Sequence, residues 1–185
     1  FVVAYCVQGP KRFYLKPDAC AEIGLAPGPW ISELQRSLAT LPGDSIYQLS
    51  GQVSTLKALS ERVFDWSMPR PVAYLTDFCF SRSNIERIAQ TMTGVDLLYC
   101  EATFKDSDFE RAAAKKHLTT RQAALIARLL KAKELRIFHI SNIYSGDTDS
   151  SLNEAASFFG DLALLSDLDL RQAVDAELQR STMFS

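Results

Sequence analysis

Three apolar runs, "PVAYLTD", "GVDLLYCE" and "ELRIFHIS", alternate with stretches of helical periodicity, and this alternation constrains the fold more than any other feature of the chain. The first intervening stretch, "SNIERIAQTM", has Ser83 and Glu86 at capping-box spacing and sets Ile85, Ile88, Ala89 and Met92 on one face. The second, "TTRQAALIARLLKAK", repeats the box at Thr119 and Gln122. A third helix is predicted to open at Ser151 and Glu154, and a polar helical tail follows in "RQAVDAELQRS". Strands joined by helical crossovers are parallel, so residues 71–165 predict an α/β fold. Near-continuous apolar strands further predict a sheet covered on both faces.

The first third is less regular. "FVVAYCV" and "RFYLK", with "QGPK" between them, predict a hairpin. "PDACAEIGLAPGP" predicts a short helix stopped at Gly24, and "WISELQRSL" a second one. Between residues 40 and 70, "SIYQLSG" and "RVFDWS" are short strands or loops. At 185 residues the expectation is a single domain. Its parts are a hairpin and irregular region over 1–70, β-α repeats over 71–165 and a helical tail over 166–185.

No apolar run approaches the roughly 20 residues that span a bilayer, so a membrane is not an expected partner. The net charge of −2 gives no overall basic footprint for nucleic acid. The 4 cysteines form no CxxC pair, which predicts reduced, mostly buried thiols and a cytoplasmic setting. "FVVAYCV" is strand material from its first residue, which predicts that further chain precedes Phe1.

In an open α/β sheet, ligands bind beyond the carboxyl ends of the strands. The three runs end at Asp77, Glu101 and His139, so parallel pairing would put these residues on one edge. His117 lies just before the second helix, in "AAAKKHLTT", and the chain can return it to that edge. Carboxylate and imidazole suit zinc, manganese or iron. Each residue also has a plainer role open to it: Asp77 and Glu101 as helix or loop caps, His139 as a hydrogen-bonded core residue, His117 as a solvated loop residue beside Lys115 and Lys116.

At these residues the chain resembles the C-terminal half of the metallo-β-lactamase fold, an αββα sandwich, and within it the ribonuclease Z (tRNA 3′-processing endonuclease) family. The likeness runs from about Tyr5 to Phe159. "EIGLAPGPWISELQ" resembles the family's Gly-Leu-x-x-Gly-Pro segment, and "VAYLTDFCFSRSN" its strand ending in a metal-bridging Asp. "DLLYCEATF" resembles its His-Glu-Ala-Thr-Phe loop, with Cys100 where His is usual. "AAAKKHLTTRQAALIA" resembles its Ala-x-x-x-x-His-Ser/Leu-Thr loop. "RIFHISNIY" resembles the stretch that usually ends His-x-Ser-x-Arg-Tyr, with Ile143 where Arg is usual.

The resemblance implies a metal-dependent phosphodiesterase or endoribonuclease with two zinc ions, acting on precursor tRNA or another phosphodiester. Asp77 becomes the bridging ligand and His139 a terminal ligand. His117 becomes the catalytic histidine, and Glu101 a supporting carboxylate. The family's His-x-His-x-Asp-His motif, which supplies most of the ligands, is absent: the chain has only 2 histidines. The resemblance therefore implies a chain that is inactive alone and completed by an N-terminal half or a homodimer partner. A non-catalytic binding or dimerisation module of the same fold is the alternative. An unrelated flavodoxin-like domain lacks support, since no glycine-rich phosphate loop is present.

Overall fold

The computed structural model describes residues 3–92 and 94–184. Along the chain these form β1 (Val3–Val7), β2 (Arg12–Leu15), α1 (Ala19–Ile23), α2 (Trp30–Thr40), β3 (Ile46–Leu49), β4 (Gln52–Thr55), α3 (Leu56–Val63) and β5 (Phe64–Ser67). There follow β6 (Val72–Thr76), α4 (Arg82–Thr91), β7 (Leu97–Glu101), α5 (Phe109–Lys115), α6 (Thr120–Leu129), β8 (Glu134–Phe138), α7 (Thr148–Asp161) and α8 (Asp167–Thr182). The chain divides into two compact units, Phe1–Gln8 with Arg70–Ser185, and Gly9–Pro69.

The larger unit is α/β, built on a four-stranded sheet in the order β1-β6-β7-β8. β6, β7 and β8 run parallel, as their helical crossovers require. β1 pairs antiparallel with β6, Tyr5 opposite Tyr74, so it is not half of a hairpin with β2. The hairpin expected over the first fifteen residues does not form, because each strand finds a different, distant partner: β1 pairs with β6 and β2 with β5.

One face of the sheet is the core. Ala73, Leu75, Leu98 and Cys100 alternate inward and meet Ile85 and Ile88 of α4, Leu125 and Ile126 of α6, and Val174 and Leu178 of α8. The other face is not covered by these helices: Tyr5, Val7, Tyr74 and Tyr99 are exposed there. That departs from the expectation of a sheet covered on both faces. Apolar runs in parallel strands usually accompany burial of both faces, and here Tyr5, Val7, Tyr74 and Tyr99 stay exposed on one.

The helix starts show which capping signals were genuine. Thr119 and Gln122 form the complete box at α6. At α4 the cap is Ser81, whose hydroxyl accepts from the Asn84 amide, two residues before the expected Ser83. α7 begins at Thr148, so Ser151 lies inside the helix, buried. Across the sheet's opposite edge, Arg70 reaches Asp96 and Glu134, tying the approach to β6 to the starts of β7 and β8.

The smaller unit packs its own core of Ile23, Leu34, Leu56, Leu59, Val63 and Phe64 beneath two antiparallel ribbons, β2-β5 and β3-β4. Gly24 ends α1 in the left-handed region, φ 76°, as anticipated. α3 was hidden because "LKALSERV" is short and opens behind a strand; its cap is Thr55, which accepts from the Ala58 amide.

The cysteines are free, as expected, but only Cys100 is fully buried; Cys6 is exposed and Cys20 and Cys79 are half-buried. "Mostly buried" was therefore too strong, because Cys6 lies on an edge strand and Cys79 in a loop. Among the described residues, no helix is long and apolar enough to cross a membrane.

Candidate metal centre at the carboxyl edge of the sheet

Asp77 and His139 each occupy the first position after a parallel strand, β6 and β8 respectively, and each has left-handed backbone, φ 49° and φ 59°. Such backbone is tolerable for Asp and uncommon for His. Two non-glycine residues held this way at one sheet edge mark a place where the structure over-determines the backbone, as functional sites do.

His117 arrives from the β7–α6 crossover. α5 is capped by Lys116, also left-handed at φ 59°, and the His117 amide donates to the Ala112 carbonyl at 3.0 Å. The chain is then zipped to Phe104: the Phe104 amide donates to Leu118, and the Thr120 amide donates back to Phe104. The α6 capping box begins at the next residue. His117 is thus held between the end of α5 at Lys115 and the start of α6 at Thr120.

The three side chains converge. One ligand atom each from Asp77, His117 and His139 lie within 4.8 Å of one another. The two imidazoles meet edge to face, with centroids 5.1 Å apart.

Glu101 organises both rings from behind. It is fully buried, and its Oε2 lies 2.7 Å from His117 Nδ1 and 3.4 Å from His139 Nδ1. The Thr103 hydroxyl donates to the same oxygen at 2.9 Å, and the Phe78 amide donates to Oε1. With Nδ1 of each ring turned to the carboxylate, Nε2 is the nitrogen left for an incoming ligand. This is the carboxylate–histidine arrangement that orients metal-binding imidazoles. Glu101 itself is out of contact with solvent.

The donor set suits a borderline cation: one carboxylate and two imidazoles, the number of protein ligands a catalytic zinc normally keeps. The sequence reading divides them differently, with Asp77 and His139 as ligands and His117 as the reactive group. The geometry brings all three together.

Two supports were not anticipated. Thr103 could have been noticed, since it stands two residues beyond Glu101 in extended chain and so faces the same way. The second is a polar brace behind His117. Asp106 Oδ1 accepts from Arg180 of α8 at 3.0 Å and from Thr119 at 3.5 Å, while Glu154 of α7 accepts from Thr120 and from the Asp106 amide. Gln122 donates to Glu177 of α8 at 3.0 Å; burial pushes the Glu177 carboxyl up, against the pull of Arg180. Nearby, the Tyr144 hydroxyl donates to Asp108, and burial together with that bond pushes Tyr144 up to about 12. Burial also raises the Cys79 thiol, an effect that Lys116 opposes and Glu101 reinforces. Ile143, in the place of the usual Arg, is exposed beside this edge.

The sequence matches curated ribonucleases Z over most of its length. It is 29% identical to ribonuclease Z of Deinococcus radiodurans over 158 residues, covering 85% of this chain and 46% of that protein. With ribonuclease Z of Nocardia farcinica it shares 30% over 164 residues, covering 89% and 48%. With that of Anoxybacillus flavithermus it shares 34% over 148 residues, covering 76% and 46%. No family model matches. Among solved structures, human tRNase Z, short form, superposes with a TM-score of 0.36 at 29% identity, covering 45% of this chain and 33% of that one. The metallo-beta-lactamase fold protein YhfI from Bacillus subtilis gives 0.41 at 19% identity, covering 65% and 48%. Over most of its own length the chain is similar in sequence to the ribonuclease Z family. It spans about half the length of the curated relatives it matches.

Proposed function

We propose that this chain carries one half of a metal-dependent phosphodiesterase centre of ribonuclease Z type, with RNA, foremost precursor tRNA, as its substrate. The observation that carries the reading is the Asp77–His117–His139 cluster backed by buried Glu101. The curated relatives, each named ribonuclease Z, support the substrate class.

Asp77 and His139 hold metal, with zinc favoured by the donor types. When bound, such an ion lowers the pKa of water towards 7 and neutralises charge on a phosphoryl oxygen. His117, with a ring nitrogen within 4.8 Å of the ligand atoms of Asp77 and His139, gives a proton to the leaving oxygen, or a hydrogen bond to the charge that develops there. Glu101 keeps its Nδ1 engaged, so the outward Nε2 is the atom that meets substrate. The left-handed turns after β6 and β8 aim Asp77 and His139 into the same space.

Three donors do not complete a two-metal site, and no His-x-His-x-Asp-His motif is present to add more. The remaining ligands come from outside these 185 residues, from further polypeptide or a second copy. The open sheet face supports this. Tyr5, Tyr74 and Tyr99 stand in register across three strands at 60%, 39% and 40% exposure, an apolar face of the kind that interaction surfaces present.

The test is hydrolysis of bis(p-nitrophenyl) phosphate and of a precursor tRNA by the full-length protein, meaning this chain assembled with whatever polypeptide or second copy supplies the remaining ligands. Activity lost to a chelator and restored by zinc is expected. Full activity in the chelated protein would overturn the reading.

A further inference from the structure

His117 is delivered by a helix that cannot stand alone. α5 has 7 residues, and a helix so short has little stability of its own, so tertiary contacts must hold it. Phe109 and Ala112 bury one face of it. A further hold comes from Arg180 of α8. The guanidinium lies 3.8 Å from the centroid of the Phe109 ring, at the start of α5. It also donates twice to Asp106, to Oδ1 at 3.0 Å and to the main-chain carbonyl at 3.4 Å. Asp106 Oδ1 accepts in turn from the Thr119 hydroxyl at 3.5 Å, and Thr119 caps α6. One turn earlier on α8, Glu177 accepts from Gln122, the other half of that capping box. Arg180 therefore grips the segment that enters α5 directly, and the segment that follows His117 through Asp106.

An ion pair as exposed as Arg180–Asp106, at 38% and 20%, adds little to overall stability. What it does supply is direction. A planar guanidinium that meets one residue through two donors and lays its face on a ring fixes the position of both, which a point charge does not do. The hydrogen bond from His117 to Glu101, at 2.7 Å, has no slack to absorb a displaced backbone. We propose that Arg180 is a positioning residue for His117: by holding Asp106 and Phe109 it sets the end of α5 where the imidazole meets Glu101 and turns Nε2 towards Asp77 and His139.

The placement is tested on the 185-residue chain by NMR. With 2 histidines the chain gives two imidazole Cε1–H signals, and His117→Ala assigns them. Arg180→Ala shifts and broadens the His117 signal, while the amide signals of Ala73 and Leu98 in the core strands stay in place. If Arg180→Ala does not fold, Arg180→Lys replaces it. That variant keeps a charge beside Asp106 and loses the flat contact with Phe109, so a smaller shift of the same signal is expected. The consequence for catalysis rests on the reading of His117 given above and is measured on the full-length protein. Arg180→Ala lowers kcat on precursor tRNA about tenfold with KM little changed, below the roughly 10² that a misplacement of about 1 Å can cost. In a His117→Ala background the same substitution has no further effect. A loss that persists in that background makes Arg180 a structural residue only and overturns the proposal. If zinc-dependent hydrolysis of bis(p-nitrophenyl) phosphate holds and the His117 signal ignores Arg180, this proposal alone falls. If hydrolysis fails while the signal follows Arg180, the metal-centre reading falls and the placement stands.

Discussion

His117→Ala in the full-length protein is expected to lower kcat for phosphodiester hydrolysis by roughly 10² to 10⁴, the range of a lost general acid or electrophilic contact. The residue earns that figure by position. It is part-buried, its Nδ1 is held by Glu101 at 2.7 Å, and it converges with Asp77 and His139. If His117 only protonates the leaving group, substrates with good leaving groups are rescued: p-nitrophenolate needs little protonation, and the defect on bis(p-nitrophenyl) phosphate is then smaller than that on RNA. Equal, large losses on both substrates would assign His117 to metal binding. An unchanged kcat on RNA would remove it from the mechanism.

Glu101→Ala has the second-largest expected effect. The carboxylate accepts from Phe78, Thr103 and His117 and lies beside His139, so its loss releases both rings together. Zinc affinity of the full-length protein falls about 10- to 100-fold, as for removal of a carboxylate behind a ligating histidine. Stability falls as well, by about 1–3 kcal/mol for the buried donors left without an acceptor. Glu101→Gln separates the two. It keeps an acceptor for Phe78, so most of the stability returns, but it removes the charge that steadies the imidazoles, so the zinc defect persists. Isothermal titration with zinc and urea unfolding of both variants measure this, and unchanged zinc affinity in Glu101→Ala would contradict the role.

Much of the site was legible because strand ends are easy to read. Apolar runs that stop at Asp77, Glu101 and His139 need only parallel pairing to bring those residues to one edge, and the crossover lengths required parallel pairing. His117 was harder: its position depends on the left-handed turn at Lys116 and the bridge between Phe104 and Thr119, long-range features without a local signature. The hairpin failed for a related reason. "FVVAYCV" and "RFYLK" have strand composition, but composition does not name a partner, and Tyr5 pairs with Tyr74 across sixty-odd intervening residues. The exposed tyrosine face was invisible to periodicity, because apolar residues in a strand do not show whether the face they form is covered. The brace from α7 and α8 was hidden because Glu177 and Arg180 sit in a tail that reads as polar, while Glu177 is in fact buried.

Zinc titration of the 185-residue chain and of the full-length protein, each with and without Asp77→Ala, tests the central claim most directly. The predicted result is weak binding by the chain alone, tight binding of two ions by the full-length protein, and loss of that tight binding in the variant. Tight two-ion binding by the chain alone, or full-length binding indifferent to Asp77→Ala, would contradict a metal centre divided at this edge of the sheet.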